Sequence, residues 1–508
     1  MKPFVLTEFG FQSHWILLAA LYLAGWAVYQ GIKTLYWHPL AKFPGPRIGA
    51  LTRLYKTYVE CVAQGSFVHL LEEHHARYGD IVRVGPNELH FSNPATYLEI
   101  YNPSNRWDKE ESLYHSFGED RSSFGFLTYK EAKERKDVLN RMLSRKAILG
   151  SQGIVQEKVV ELCKSFERKK NSTVNLFYAF RCMSIDVITY LCFGSSVDAI
   201  NAPDHQAPII IAMDASLPVF VRFKHSAFYK SMIVNCPPAI SKIVSPLTAG
   251  LVDLQQLLKG QIKEMTEDPS TLEKLPHSRT VFHELLRPEA YKSRTVPCAD
   301  SLYEEAQALM FGGADTTGTT LMHGTFYILK QPEVYRRLKE EIHAVWPNLN
   351  TLPDLTDLEK LPYLTAALKE SLRMSPGVAS ALPRIVPPSG AKISGQFIPG
   401  GTVVGMSSHF VHRSETVFEK PNEFIPDRWL GDKGSQLDKW LFSFSHGPRS
   451  CLGQNLAWAE LYFCFAHLYR KFDIEMDPSS PRDLQWRDRF LPEYIGPHLK
   501  AKITPVAS

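Results

Sequence analysis

One run of residues has the types and spacing to do chemistry: Phe444-Ser-His-Gly447-Pro-Arg449-Ser-Cys451-Leu-Gly453. A single cysteine sits in a loop punctuated by glycine and proline. An arginine precedes it by two positions, and an apolar helical pattern begins just after it. Such a loop suits one axial thiolate beneath a haem iron. The arginine can face a propionate as a charge-assisted donor, and Gly447 and Gly453 leave room for the backbone to pass close to a macrocycle. The chain has eight cysteines, the others at 61, 163, 182, 192, 236, 298 and 464, without C-x-x-C spacing. That distribution argues against a disulfide framework. Cys163, Cys182 and Cys464 lie in apolar helical contexts and read as small buried hydrophobes.

Three more segments accompany the cysteine loop. Gly312-Gly313-Ala-Asp315-Thr316-Thr317 places small residues, a carboxylate and hydroxyls inside a strongly helical stretch. Small residues let a flat cofactor and oxygen approach the backbone, and an Asp-Thr pair can deliver protons through water. The same glycines would also serve close helix packing. Glu370-Ser-Leu-Arg373 puts two opposite charges on one helix face. Phe424-Ile-Pro426-Asp427-Arg428-Trp429 brings a second arginine shortly before the cysteine loop.

Taken together and in this order, the four segments resemble those of cytochrome P450 monooxygenases, over roughly residues 35 to 505. The resemblance implies a mainly α fold with minor β, the P450 fold, holding haem b with Cys451 as the iron's axial ligand. Phe444 would pack near the sulfur, Arg449 and Arg384 would face propionates, and Asp315 with Thr316 would deliver protons on the distal side. Glu370, Arg373 and Arg428 would form a buried carboxylate–guanidinium network that supports the cysteine loop. One position departs from the family's pattern: Ala132 stands where a ring donor is usual, which leaves propionate pairing there to Lys136 or Arg135. The resemblance also implies electrons from NADPH through a separate cytochrome P450 reductase, with cytochrome b5 as a second electron partner, and an apolar, membrane-accessible substrate.

The motif surroundings look most like microsomal, filamentous-fungal P450s of secondary metabolism. That analogy favours a terpenoid-like substrate, with a polyketide, alkaloid or aromatic compound as the alternative. An isomerase or dehydratase on the same scaffold, and a haem-binding sensor, are the competing readings. No second region has flavin- or nicotinamide-binding organisation.

Elements that position these residues follow from pattern. From Trp15 to Tyr29 the chain is apolar and uncharged, and with its flanks approaches the length of a bilayer-spanning helix. Lys33, Lys42, Arg47, Arg53 and Lys56 follow it, so the positive-inside rule puts the large domain in the cytosol, and the resemblance to microsomal enzymes implies an endoplasmic reticulum anchor. The division expected is 1–33 for leader and anchor, 34–50 for a proline-rich hinge and 51–508 for the haem domain. Short strands are expected at 79–84 and 88–91, 391–398 and 402–405. Helices are expected at 131–142, 154–169, 179–192, 251–267, 332–345, 361–374 and 454–472. A long helix should start at an Asp300 cap, run to about Leu329 and kink near Thr316. Trp107–Phe126, Leu217–Phe228, Leu309–Ala314, Val378–Pro383 and Phe490–Ile495 are the candidate substrate-lining segments. A net charge of +4 and the absence of basic recognition motifs give no support to nucleic-acid binding.

Overall fold

The computed structural model describes residues 6–169, 172–244, 246, 249–268, 270, 272 and 279–506. Residues 1–5 of the expected leader, with Lys2, lie outside them. The architecture is mainly helical with small sheets.

The first helix, Leu6–Ile32, continues the apolar run, and the 23 residues Trp15–Trp37 have a mean hydropathy of 1.5 and bury none of that surface in the protein. It is long and apolar enough to cross a bilayer. Two other stretches of similar hydropathy behave differently: Leu176–Phe193 is almost wholly buried and Pro203–His225 half-buried. Their apolarity is consumed by the core.

The proline-rich segment is pinned to the first sheet. Arg83 donates its backbone N–H to Pro44 O at 2.8 Å and its Nη1 to Thr34 O at 3.0 Å. A Cβ at Gly45 would lie 2.2 Å from Arg83 O, so this approach excludes any side chain there. The sheet has the strand order Ile81–Gly85, Glu88–Phe91, Val403–Gly405, Arg384–Ile385, Asp108–Lys109. Its register sets Lys109 opposite Arg384 and Arg384 opposite Val404.

The core is built on the central helix Ala299–Leu329, which packs along Leu176–Phe193. Buried Phe180, Ile185 and Leu321 are among the fully enclosed side chains, each contributing about 1.5–3 kcal/mol by burial. Glycine sets the closeness of the two helices. A Cβ at Gly318 would lie 2.6 Å from Arg181 Cγ, and one at Gly313 would lie 2.9 Å from Ile188 Cβ, whereas Gly312 opens on empty space. The small-residue run therefore serves close helix packing at Gly313 and Gly318 and leaves open space at Gly312.

The central helix differs from expectation at two points. Cys298 is the residue before the first turn and makes no side-chain cap, while Asp300 lies inside that turn. Its carboxylate suits the positive end of the helix dipole without closing an N–H. The helix also runs without a break through Thr316, although Thr316 Oγ1 bonds back to Gly312 O at 3.0 Å.

Several elements were not anticipated. They include the helix Pro208–His225, the hairpin Trp486–Arg489 with Leu491–Tyr494, and a three-stranded sheet of Thr173–Asn175, Lys500–Pro505 and Phe472–Met476. The last strand takes Phe472 from the expected final turn of the helix Gln454–Lys471.

Candidate active site

The cysteine loop closes on itself through Cys451 N–H, which donates to Phe444 O at 2.9 Å. Gly447 has φ +76°, and a Cβ there would sit 2.3 Å from Tyr101 O. Its requirement for glycine therefore comes from the backbone of Tyr101. A Cβ at Gly453 would meet only Cys451 Sγ, at 3.8 Å. Cys451, Phe444, Gly453 and Thr316 all line one cavity of about 330 Å³. Cys451 is open to the cavity, yet the protein packed around it pushes its thiol up, and the backbone N–H groups of Gly453 and Gln454, together with Lys136, pull it back. All eight cysteines are free, and Cys163, Cys182 and Cys464 are buried as expected.

Four cations gather beside the loop. Lys136, on the helix Tyr129–Leu143, donates Nζ to Ser450 O at 2.8 Å and Pro448 O at 3.2 Å. Arg449 donates to Leu127 O at 2.8 Å and Phe126 O at 3.3 Å, and its Nε is buried without a partner. Arg384 Nη1 donates to Tyr114 Oη at 2.5 Å. Lys109 Nζ donates to Phe124 O at 2.5 Å. Arg135, the other candidate beside Lys136, is committed elsewhere, to Glu305 at 2.9 Å.

None of the four is among the ion pairs of the described residues. Burial is the first cause that lowers Lys109, Lys136 and Arg449, and mutual repulsion adds to it, whereas Tyr114 and Tyr101 carry Arg384 up against its burial. Lys109 is driven well down beside Arg449, Arg384 and Lys136, Lys136 falls to about 8, and Arg449 to about 10. Carbonyl partners alone do not balance such a cluster. An open thiol flanked by uncompensated cations fits a haem with its two propionates. Lys109 was not legible in sequence, since only the sheet register sets it beside Arg384.

The supporting network is complete. Glu370, fully buried, receives Arg373 Nη2 at 2.7 Å, Arg373 Nε at 2.8 Å and Arg428 Nε at 3.1 Å. Trp429 Nε1 and Ile425 N–H donate to the same carboxylate, each at 2.8 Å. Arg373 Nη1 then reaches His412 O and Pro421 O, and His412 Nε2 accepts Phe442 N–H at 2.9 Å. One buried carboxylate thus ties the helix Pro362–Met374 to the segment leading into the cysteine loop.

The distal pair separates. Thr316 faces the cavity, whereas Asp315 is buried on the other side of the helix. Consecutive helical residues are rotated by about 100°, which a two-residue motif cannot reveal. Asp315 Oδ1 meets Arg181 Nε at 2.6 Å, and Arg181 Nη2 meets Asp214 Oδ1 at 2.7 Å. Burial pushes Asp315 up and Arg181 opposes it.

All five expected lining segments contribute to the wall, through Phe117 and Phe124, Leu217 and Phe220, Leu309 and Phe311, Val378 and Leu382, and Phe490 and Leu491. Ala314, within the third, is fully buried away from it. Ile188, from the helix packed on the central one, lines the wall without having been expected.

Comparison with known proteins agrees with this geometry. The Cytochrome P450 family model matches residues 44–492. Cytochrome P450 monooxygenase macH of Penicillium terrestre is 33% identical over 95% of this chain and 96% of its own length. Cytochrome P450 monooxygenase flvC of Aspergillus flavus is 31% identical over 96% of each. Tryptophan 6-hydroxylase fscE of Fusarium equiseti is 32% identical over 90% of each. A family match over most of the chain, on a site with an open thiol and a cation cluster, makes this protein a member of the cytochrome P450 family and a monooxygenase-class oxidoreductase.

Proposed function

We propose that this protein inserts one oxygen atom from dioxygen into an apolar intermediate of fungal secondary metabolism, with electrons from NADPH delivered by a separate membrane-bound reductase. The observation that carries the reading is one apolar cavity reached by both the Cys451 thiol and the Thr316 hydroxyl. When bound, haem b supplies the reductive activation of dioxygen.

The chain's own residues supply the rest. Cys451 would hold the haem iron as thiolate, with Phe444 and Gly453 around it. Arg449, Arg384, Lys136 and Lys109 would neutralise its propionates. Glu370, Arg373 and Arg428 hold the loop. Thr316 Oγ1 exchanges its bond to Gly312 O for one into the cavity, which places a proton donor there. Asp315 acts from behind, as a proton reservoir that must leave the Arg181 pair to reach Thr316.

The helix at Trp15–Trp37 is compatible with an anchor in the endoplasmic reticulum, with the haem domain cytosolic. The docked Pro44–Gly45 segment would then orient the cavity relative to the bilayer. A terpenoid-like skeleton fits the apolar wall. An aromatic skeleton is the second reading, favoured by the rings of Phe117, Phe124, Phe220, Phe311 and Phe490 and by a relative named as a tryptophan 6-hydroxylase.

The test is reconstitution with a P450 reductase. A thiolate-type ferrous–CO spectrum, with product that requires NADPH and carries one atom of labelled oxygen, is expected. Product formed without NADPH would replace the monooxygenase by an isomerase or dehydratase. A histidine-type band would withdraw the mechanism.

A further inference from the structure

Besides Glu460, one acid on the cavity wall, Glu119, lacks a counter-charge among the described residues. Its neighbours are paired: Asp120 meets Lys230 Nζ at 2.8 Å, Glu304 meets Arg121 Nη2 at 2.7 Å and Glu305 meets Arg135 Nη1 at 2.9 Å. Glu119 has no such cation among the described residues, although it is only 4% exposed and lines the same cavity as Cys451 and Thr316. Its Oε1 accepts from Gln307 Nε2 at 3.2 Å. No protein group among the described residues hydrogen-bonds to Oε2.

Gln307 cannot swing to serve the second oxygen. Its Nε2 also donates to Phe117 O at 3.3 Å, while its Oε1 receives Tyr303 Oη at 2.8 Å and Gln255 Nε2 at 3.1 Å. The amide is held from both ends, so Oε1 of Glu119 is the fixed acceptor and Oε2 is the free position. Burial first, then the charges of Glu305, Glu304 and Asp120, favour the neutral carboxyl against the Gln307 bond. With Oε1 accepting, the proton belongs on Oε2, where it has no protein acceptor.

We propose that Glu119 Oε2 donates a hydrogen bond to a carbonyl or hydroxyl oxygen carried by an otherwise apolar substrate, and so selects an already oxygenated skeleton. This rests on the monooxygenase reading of the cavity and narrows its substrate class. The same wall carries Phe117, Phe220, Phe311 and Phe490, so the carboxyl is a polar handle in a largely apolar lining. Nine residues of the central helix separate Gln307 from Thr316, about 13 Å along its axis. The oxygen held at Glu119 and the carbon presented near Thr316 are then different positions of the substrate. The reaction that supplies this substrate must leave that oxygen on the skeleton.

The experiment is a spin-state titration of full-length, haem-loaded protein with a matched pair, the hydrocarbon valencene and its ketone nootkatone. The wild type should bind the ketone about tenfold more tightly, as expected for one hydrogen bond in an apolar site. Glu119→Leu should abolish that preference, and Glu119→Gln, which keeps a donor on the second atom, should retain most of it. A wild type that prefers neither, or binds neither, overturns the proposal. So does preferential binding of a quaternary ammonium of similar carbon number that is lost in Glu119→Gln, since that would make Glu119 a cation site. The ferrous–CO spectrum of each sample separates this from failure of the haem-thiolate reading. If Glu119→Leu does not load haem, the wild-type preference and its retention in Glu119→Gln decide.

Discussion

Asp315 Oδ1 and Arg181 Nε lie 2.6 Å apart on the face of the central helix turned away from the cavity, while the next residue, Thr316, lines it. The pair is buried, and Arg181 also serves Asp214. Removing the cation would strand two carboxylates, one of them fully enclosed. Arg181→Met should therefore destabilise the fold by about 3–5 kcal/mol, read as a fall in the unfolding midpoint. Asp315→Asn should be milder in stability and slow product formation. An Arg181→Met protein as stable as wild type would show that the pair does not hold the helices.

Thr316→Ala removes the hydroxyl that bonds Gly312 O and leaves helix and cavity in place. Haem content should be unchanged, while NADPH consumption should yield mainly peroxide or water. The check is the ratio of product to NADPH consumed. Full coupling in the variant would remove Thr316 from proton delivery.

Cys451→Ala should abolish the thiolate-type ferrous–CO spectrum. A retained spectrum would move the ligand to another residue.

Glu370→Ala leaves Arg373 and Arg428 without their carboxylate and Trp429 Nε1 without an acceptor. The expected loss is about 3–5 kcal/mol, seen as less folded, haem-loaded protein with near-normal activity per haem. A fully loaded but inactive variant would instead place Glu370 in the chemistry.

Glu460 is buried, its Oε2 has no partner, and burial pushes its carboxyl up to about 8 from 4.5. A raised folded value contributes stability that is complete below the unfolded value and lost as pH rises through the folded one. Between pH 4.5 and 8 the unfolded chain ionises while the folded chain keeps its proton, so wild-type stability should fall across that window. Glu460→Gln cannot ionise. Its advantage over wild type should grow with pH, to on the order of 4 kcal/mol near pH 8, and shrink by pH 5. Thermal midpoints at the two pH values measure this, and a pH-independent difference would contradict the assignment.

The sequence by itself determined the cysteine loop, the Glu370–Arg373 helix pair and the apolar first helix, because each is local. A ten-residue spacing, a three-residue offset on one helix and an uncharged apolar run encode their meaning in neighbours along the chain. The helix bounds at 332–345 and the first two strands were legible for the same reason, to within a residue or two. Tertiary structure decided the rest. Lys109 joins the cation cluster only through its register with Arg384, and Gly447 is required by the distant carbonyl of Tyr101. Asp315 is drawn away from the cavity by Arg181, and Glu119 is left unpaired because the cations around it are taken by other acids. Each outcome depends on which long-range partner arrives within a few ångströms, and spacing along one chain holds no record of that choice.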